Sequence, residues 1–380
     1  MTKKIVVLGG GTGGTMVANH LAKELKTKIK QNEVSITMIS NQDKHIYQPG
    51  YLFIAFGQEK QEHYVRSQRS LLLPQINLVI DKAEKIDKTR KVVKTVNGEY
   101  NYDYLVIATG SVPRFDLVPG LTEGSDNLYT LEGSLKLREK LTNFKGGKIV
   151  LSVGVPHKCP VAPIEVTLMM HEFFKTKGIL DQVEIVYTYP IDNIHVAPSV
   201  AKWLKPELEK RGIRYISQFD AKEVDANKKV ITAKNGQQEN YDLLISIPAH
   251  RGQEVILNSD GLANQQGWIP VNQYTLKAEN DDYIYVVGDA TALSISKAGS
   301  TAHYESEYVA KNLAAEIEGL TPSKFFNGKV FCFIETGLEE ATYITMDYEN
   351  PPKPIPPNGM LYWFKTTFNE MYWLAAKGVL

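Results

Sequence analysis

Two cysteines in 380 residues are too few for a disulfide scaffold, a four-thiolate metal centre or an iron–sulfur cluster, so no metal site is expected. If the pair matters, it matters together. Net charge is also missing: 43 Lys and Arg balance 43 Asp and Glu, and no basic stripe carries interleaved aromatics, which excludes a nucleic-acid partner. No run of eighteen apolar residues occurs, and the N-terminus passes from Met1-Thr-Lys-Lys into a strand-like segment without an apolar leader, so the expectation is a cytoplasmic-side protein that does not cross a membrane. Internal repeats are absent, and the only biased run is Pro351-Pro-Lys-Pro-Ile-Pro-Pro357. The length suits two domains and a tail.

What is present begins at residue 3. Lys3 to Leu8 reads as a buried strand, and Gly9-Gly-Gly-Thr-Gly-Gly14 follows it and opens a helical run to about Lys26. This is Gly-x-Gly-x-x-Gly in the strand and helix context it requires: Gly9 and Gly11 let a pyrophosphate approach, Gly14 lets the helix pack closely, and the helix N-terminus supplies N–H donors. The second strand, Val34 to Ser40, ends in Ser40-Asn41 where an acidic residue usually holds the ribose, so these two polar side chains are the candidates for that contact. Leu78 to Asp87, with Ala83 within it, then Lys91 to Val96, and then Tyr102 to Ser111 read as strand, hairpin and returning strand. The Ala108-Thr109-Gly110 segment and the later Tyr285-Val-Val-Gly288-Asp289-Ala290 resemble the paired segments of flavoproteins with two dinucleotide-binding domains. That resemblance implies FAD, with Ala83, Thr109, Gly110, Gly288 and Asp289 among its contacts.

A middle unit repeats the strand–loop–helix order with a different loop. After Lys148 to Val153 comes Gly154-Val-Pro-His-Lys-Cys159-Pro-Val-Ala-Pro-Ile-Glu165, in which two prolines and a cysteine stand where a second glycine motif would be. The fold is retained and its task changed. A helix follows directly, so its N-terminal dipole is expected to favour a Cys159 thiolate. Glu165 lies one helical turn on. His195, after the next strand, is a candidate proton carrier with it. Downstream, Ser296-Lys297-Ala-Gly299 opens a helix to about Glu318, and Lys329-Val-Phe-Cys332-Phe333-Ile-Glu-Thr-Gly reads as a strand.

The glycine fingerprint, Ala-Thr-Gly, Cys159-Pro160 with Glu165, Ser-Lys-Ala-Gly and Cys332-Phe333 together resemble the sulfide:quinone oxidoreductase family over nearly the whole chain. The resemblance implies an α/β fold of two Rossmann-like domains plus a C-terminal membrane-interface segment. It divides the chain into an FAD-binding domain (1–113, returning at 266–320), a second Rossmann-like domain lacking an NADH loop (114–265) and a C-terminal quinone-facing and membrane-facing region (321–380). It further implies noncovalent FAD, held also by Lys297 and Gly299, a Cys159/Cys332 redox bridge attacked by sulfide, and electron transfer to a membrane quinone near Phe333, Phe364 and Lys365. Zero-valent sulfur leaves as polysulfide. The third cysteine that family members often carry is missing from Leu121 to Tyr129.

The tail from Leu361 to Leu380 is dense in aromatics. Leu361, Phe364, Phe368, Met371 and Tyr372 share one helical face, and Trp363 and Trp373 widen it, so the expectation is a helix lying on the membrane surface. A homo-oligomer is compatible with these features. The alternatives are a type II NADH:quinone oxidoreductase, the flavoprotein of a flavocytochrome c sulfide dehydrogenase, and a non-enzymatic FAD redox sensor. The first needs a nucleotide loop near residue 154, and the second works in the periplasm.

Overall fold

Strands that are apolar on both sides, alternating with helices, can bury themselves only in parallel sheets covered on both faces. The computed structural model, which describes residues 2–279 and 281–379, is a mixed α/β protein of this kind. In chain order the elements that position the site are β1 (Lys3–Leu8), α1 (Thr12–Glu24), β2 (Val34–Ser40), β3 (Ile76–Ile80), β4 (Tyr104–Ile107), β5 (Gly147–Val153), α2 (Ala162–Thr176), β6 (Val183–Thr188), α3 (Pro198–Lys210), β7 (Arg214–Ile216), β8 (Leu243–Ile247), β9 (Ile284–Val286), α4 (Gly299–Ile317), β10 (Val330–Glu335), β11 (Ala341–Met346) and α5 (Gly359–Ala376).

Two parallel sheets result, in the orders β9-β4-β1-β2-β3 and β7-β6-β5-β8. Each half also carries a three-stranded antiparallel meander, at residues 83–101 and 221–240. The halves even share a fastening. Asp103 accepts from the Lys4 N–H at 2.7 Å, and Asp242 accepts from the Lys148 N–H at 2.8 Å, so each sheet's first strand is clamped to the strand added beside it. The sequence shows no repeat, yet the architecture is repeated, because an apolar strand pattern constrains the fold without constraining residue identity.

The C-terminal part is not an appendage. Antiparallel β10 and β11 pair Cys332 with Ile344, and α5 lies along this hairpin and against α1. Helix α5 starts at the Asn358 cap, whose side chain accepts from the Leu361 N–H at 3.0 Å. Its amphipathicity is inverted. The buried stripe is Tyr362, Lys365, Asn369, Tyr372 and Ala376, at three- and four-residue spacing, whereas Met360, Trp363, Phe364, Met371 and Leu374 are 42–64 % exposed. The expected apolar face is therefore corrected: Leu361 and Tyr372 point inward, Phe368 is half-buried, and only Phe364 and Met371 of that set are exposed.

The inward polar groups are satisfied. The Tyr372 hydroxyl is bonded to Thr12 Oγ1 (2.8 Å) and His45 Nε2 (2.5 Å), Tyr47 donates to Asn369 Oδ1 (2.8 Å), and Asn19 Nδ2 donates to the Ala376 carbonyl (2.8 Å). Burial drops His45 to about 4, so its ring is neutral at physiological pH. Tyr372→Phe keeps the ring but strands Thr12 and one His45 nitrogen. It is expected to lower stability by about 1–3 kcal/mol, the penalty of unpaired buried polar groups, and urea denaturation checks this.

Candidate active site

The glycine loop is dictated by close approach. Gly9 has φ +119°, and a Cβ there would sit 2.3 Å from the Ala108 carbonyl oxygen; a Cβ on Gly14 would sit 1.9 Å from the Gly9 carbonyl oxygen. No side chain fits either place. By contrast, a Cβ on Gly11, Gly110 or Gly299 meets nothing within 4 Å, so the loop after β1, the turn after β4 and the start of α4 all face open space. Around that space Thr109 Oγ1 is buried without a partner among the described residues, and Asp289, in the turn after β9, accepts from Ser111 Oγ at 2.9 Å. A helix N-terminus, an orphaned hydroxyl and a glycine-lined cradle fit a dinucleotide.

Other residues expected to hold the cofactor are engaged locally. Ser40 Oγ donates to the Gln42 carbonyl (2.8 Å), Asn41 is exposed, and half-buried Ala83 begins a meander strand. Lys297 turns its ammonium to the carbonyls of Asp289 (3.1 Å) and Thr291 (2.6 Å), over the Trp268 ring. It fastens the Gly288–Thr291 turn instead of reaching into the cradle.

The two cysteines, 173 positions apart in sequence, arrive at the same helix start. The Cys159 N–H donates to the Lys297 carbonyl (2.8 Å), and Ser300 Oγ donates to the Phe331 carbonyl (2.7 Å), so both sulfur-bearing segments are hydrogen-bonded to the residues around Gly299. Both sulfurs are free, half-buried and packed on one apolar core. Burial, with Glu165 adding to it, pushes the Cys159 thiol up to about 12; burial and then the neighbouring Cys159 raise Cys332 as well. The thiolate expected from the helix dipole is thus overridden: a partial charge at a helix end is outweighed by desolvation and a nearby carboxylate. Cys159 itself has φ +52°, in the left-handed region.

Beside the sulfurs lies a group the sequence only half disclosed. Lys365 of α5 stands 3.5 Å from Glu165 Oε1 and donates to the Phe333 carbonyl at 3.4 Å, and Glu165 also accepts from the Glu335 N–H at 3.2 Å. Glu335, the last residue of β10, is fully buried, and neither carboxylate oxygen has a partner among the described residues. Burial raises both acids, Glu335 to about 8, with Lys365 opposing the shift. Burial alone would lower Lys365, but the two carboxylates more than offset it and keep it charged. One ammonium serves two acids, so near neutrality one of them holds a proton. The Cys-Phe-Ile-Glu spacing placed Glu335 on the same strand as Cys332, and that was the available signal.

His195 is corrected. Its Nε2 donates to the Pro160 carbonyl (3.1 Å) and its Nδ1 accepts from the Ala197 N–H (2.9 Å), while burial lowers its pKa. With both nitrogens occupied by backbone, it staples the cysteine loop and has no lone pair left to carry protons. Phe333 packs edge-on or tilted against Phe331 (6.0 Å) and Tyr343 (5.2 Å), and Phe331 meets Phe368 at 5.1 Å, an aromatic patch on the α5 side of Cys332. Phe364 is outside it, exposed beside Trp363. In the region without a third cysteine, Tyr129 donates to the Lys158 carbonyl (3.1 Å) and so buttresses the Cys159 loop.

Comparison with known proteins gives the following. The family model described as pyridine nucleotide-disulphide oxidoreductase matches residues 3–308. A mitochondrial sulfide:quinone oxidoreductase of Mus musculus is 23% identical over 362 residues, covering 92% of this chain and 79% of its own length. The crystal structure of the sulfide:quinone oxidoreductase of Aquifex aeolicus is similar at a TM-score of 0.88 and 26% identity, covering 99% of this chain and 92% of that one. A type II NADH:quinone oxidoreductase of Staphylococcus haemolyticus is 25% identical over 353 residues, 85% of each chain.

A second acid escaped the sequence reading. Glu305 of α4 is fully buried; its Oε2 accepts from the Gly288 N–H at 2.5 Å, and its Oε1 has no partner among the described residues. Burial raises it from 4.5 to about 8, although the Gly288 bond and Lys297 pull the other way. Its folded-state pKa lies above the unfolded one, so it contributes stability that is complete below about 4.5 and is lost as pH rises to about 8. Glu305→Gln is expected to flatten the fall in melting temperature across that window, as thermal melts at stepped pH will read.

Proposed function

From the premise that the chain belongs to the pyridine nucleotide-disulphide oxidoreductase family, we propose that it oxidises sulfide to zero-valent sulfur through Cys159, Cys332 and noncovalently bound FAD, and delivers two electrons to a membrane quinone. The observation that carries this reading is the convergence of both cysteine segments on the Lys297–Ser300 helix start, which also walls the dinucleotide cradle.

The chemistry balances as HS⁻ plus quinone plus H⁺ giving zero-valent sulfur plus quinol. In the oxidised state a bridge joins the two sulfurs. Sulfide attacks it, one S–S bond forms as another breaks, and one cysteine becomes a persulfide while the other leaves as a thiolate. The thiolate so released carries the electron pair. FAD, when bound, would supply the two-electron acceptor for that pair and the donor to a quinone. The residues proposed to hold it are Gly9, Gly11, Gly14, Thr109, Gly110, Gly288, Asp289 and Gly299, with Ser40, Asn41, Ala83 and Lys297 as outer members of the set. Glu165 and Lys365 hold charge beside the sulfurs, and the patch at Phe331, Phe333, Tyr343 and Phe368 offers an apolar face to a quinone ring, with Lys365 at its edge. The two cysteines are both needed for this chemistry, which leaves no thiol for a covalent link to the cofactor.

No described helix is long and apolar enough to cross a membrane. The outward face of α5 supports peripheral attachment instead, which the proposal sets on the cytoplasmic side. Met360, Trp363, Phe364, Met371 and Leu374 form an apolar surface a monomer seldom leaves to water, and full burial of such side chains is worth roughly 1.5–3 kcal/mol each. The NADH alternative is disfavoured by the cysteine loop. Pro156 and Pro160 replace the glycines a pyrophosphate needs, and Gly154 is closed in by the Ala249 N–H, 2.8 Å from a Cβ position.

Cys159→Ser and Cys332→Ser are each expected to keep yellow flavin bound and to lose sulfide-driven bleaching by at least about 100-fold. Stopped-flow absorbance measures this, and acid precipitation of the wild type should free the flavin. Ordinary sulfide turnover in either variant, or bleaching by NADH but not by sulfide, refutes the proposal.

A further inference from the structure

We propose that the surface cavity beside the last helix, walled by Glu59, Lys60, Glu62 and Arg138, seats the head group of phosphatidylethanolamine and so fixes how α5 lies on a bilayer. The inference rests on the reading of the protein as peripherally attached through α5, and it names the lipid that reading leaves open.

The cavity, of about 700 Å³, opens between residues 57–66 and the helix Leu131–Asn143, which contributes Arg138. Small-ligand sites span roughly 300–1,000 Å³, so it is large enough for a lipid head. Two cations and two acids stand around it, and they are held apart. Arg138 is half-buried, its Nε 3.4 Å from the place a Cβ would take on Gly57. Its helix neighbours Lys136 and Lys140 are paired with Glu132 (2.7 Å) and Asp126 (2.6 Å), whereas Arg138, Lys60, Glu59 and Glu62 enter no ion pair among the described residues.

Four charges that do not neutralise one another line one open space, and a ligand carrying both signs completes them. Phosphoethanolamine has a phosphate for the guanidinium and the Lys60 ammonium, and a primary ammonium with three N–H donors for the two carboxylates. Phosphatidylglycerol brings only an anion and leaves both acids facing it. A choline head has no N–H to give to a carboxylate.

The neighbouring helix makes the occupant a lipid. Gln58 Nε2 donates to the Tyr362 hydroxyl (3.1 Å), His63 Nε2 stands 2.7 Å from Glu370 Oε1, and Arg66 lies over the Trp373 ring at 4.9 Å, so the cavity wall is fastened to α5 at three points. Tyr362, Glu370 and Trp373 share one flank of α5, between its buried stripe and the exposed Trp363, Met371 and Leu374. A helix lying with its apolar face sunk roughly 5–10 Å into the interface sets such a flank at head-group level. The opposite flank carries Phe368, which meets Phe331 at 5.1 Å. The cavity and the aromatic patch offered to quinone are therefore on the two sides of one helix, about 10–12 Å across. A head group held in the cavity sets the roll of α5 about its axis, and with it how the patch meets the acyl chains from which a quinone arrives.

The test floats the purified holoenzyme with vesicles of phosphatidylcholine alone, or with a third of it replaced by phosphatidylethanolamine or phosphatidylglycerol of the same acyl chains. Phosphatidylethanolamine is expected to tighten binding about 10-fold, the scale of one or two charge-assisted contacts. Glycerophosphoethanolamine in solution should compete, and inorganic phosphate should not. Arg138→Ala and Glu59→Gln should each remove the preference while leaving attachment to phosphatidylcholine and sulfide-driven bleaching unchanged, and Arg138→Lys should keep part of it. Lys60→Gln, at an exposed position, replaces Arg138→Ala if that variant loses its flavin. Equal binding to the three membranes, a stronger preference for phosphatidylglycerol, or a preference that survives in the variants, as an effect of lipid packing would, overturns the proposal and leaves attachment through α5 standing. Flotation with none of the vesicles refutes peripheral attachment and this site with it.

Discussion

Everything around the sulfurs depends on one buried ammonium. Lys365 is taken out of water between Glu165 and Glu335, and these three residues belong to the helix after Cys159, the strand of Cys332 and the final helix. Two acids and a base from three separate stretches of chain are removed from solvent together, with Glu165 paired to Lys365 and Glu335 left without a partner among the described residues. The charge cluster therefore closes the tertiary fold at the same point where the chemistry is expected. Its arithmetic is uneven, with two acids and one base, and the unevenness makes a labile proton a permanent feature of the site.

The final helix follows from this. A helix that presents Tyr362, Lys365, Asn369 and Tyr372 inward buries little apolar surface beyond Leu361, Ala375 and Ala376, so satisfied polar contacts and the tilted ring pair Tyr47 and Tyr372, 4.1 Å apart, add to its packing. Met360, Trp363, Phe364, Met371 and Leu374 have only the outside. Arg66 lies over the Trp373 ring at 4.9 Å and His63 pairs with Glu370 at 2.7 Å, which sets polar groups along the margin of the apolar surface. A protein that kept this face in water would gain by hiding it, and the arrangement suits a boundary between lipid and water.

The glycine loop, most strands of both sheets and the cysteine loop before α2 were legible because each is governed by local rules: φ above zero, strand length, the missing glycines; the short β7 went unread, and Leu78 to Asp87, read as one strand, divides between β3 and a meander strand that starts at Ala83. The resemblance found the sulfur pair. What local rules could not reach was the outcome of competition between burial and a favourable local field. Cys159 sits before a helix, which argued for a thiolate, but desolvation and Glu165 were not visible in sequence. His195 looked like a free loop histidine, yet its two nitrogens were claimed by Pro160 and Ala197 in three dimensions. Lys297 likewise fastens a turn through two carbonyls. Glu335 and Glu305 each lay within a motif that had been read, unnoticed because a buried acid has no signature of its own. On α5 the aromatic density was read correctly as unusual, and the error lay in which face it occupied, since apolar periodicity alone does not say which side is inside.

The bond between Tyr372 and Thr12 has a consequence for biogenesis. The two residues are 360 positions apart, so the glycine loop emerges from the ribosome long before the helix that holds its first turn in place exists. During synthesis the nucleotide-binding half can fold around its own sheet, yet Thr12 Oγ1 and the Nε2 of His45 lack their Tyr372 partner until α5 is made. The first turn of α1 therefore gains its last side-chain bond only when α5 docks, long after the glycine loop itself can fold.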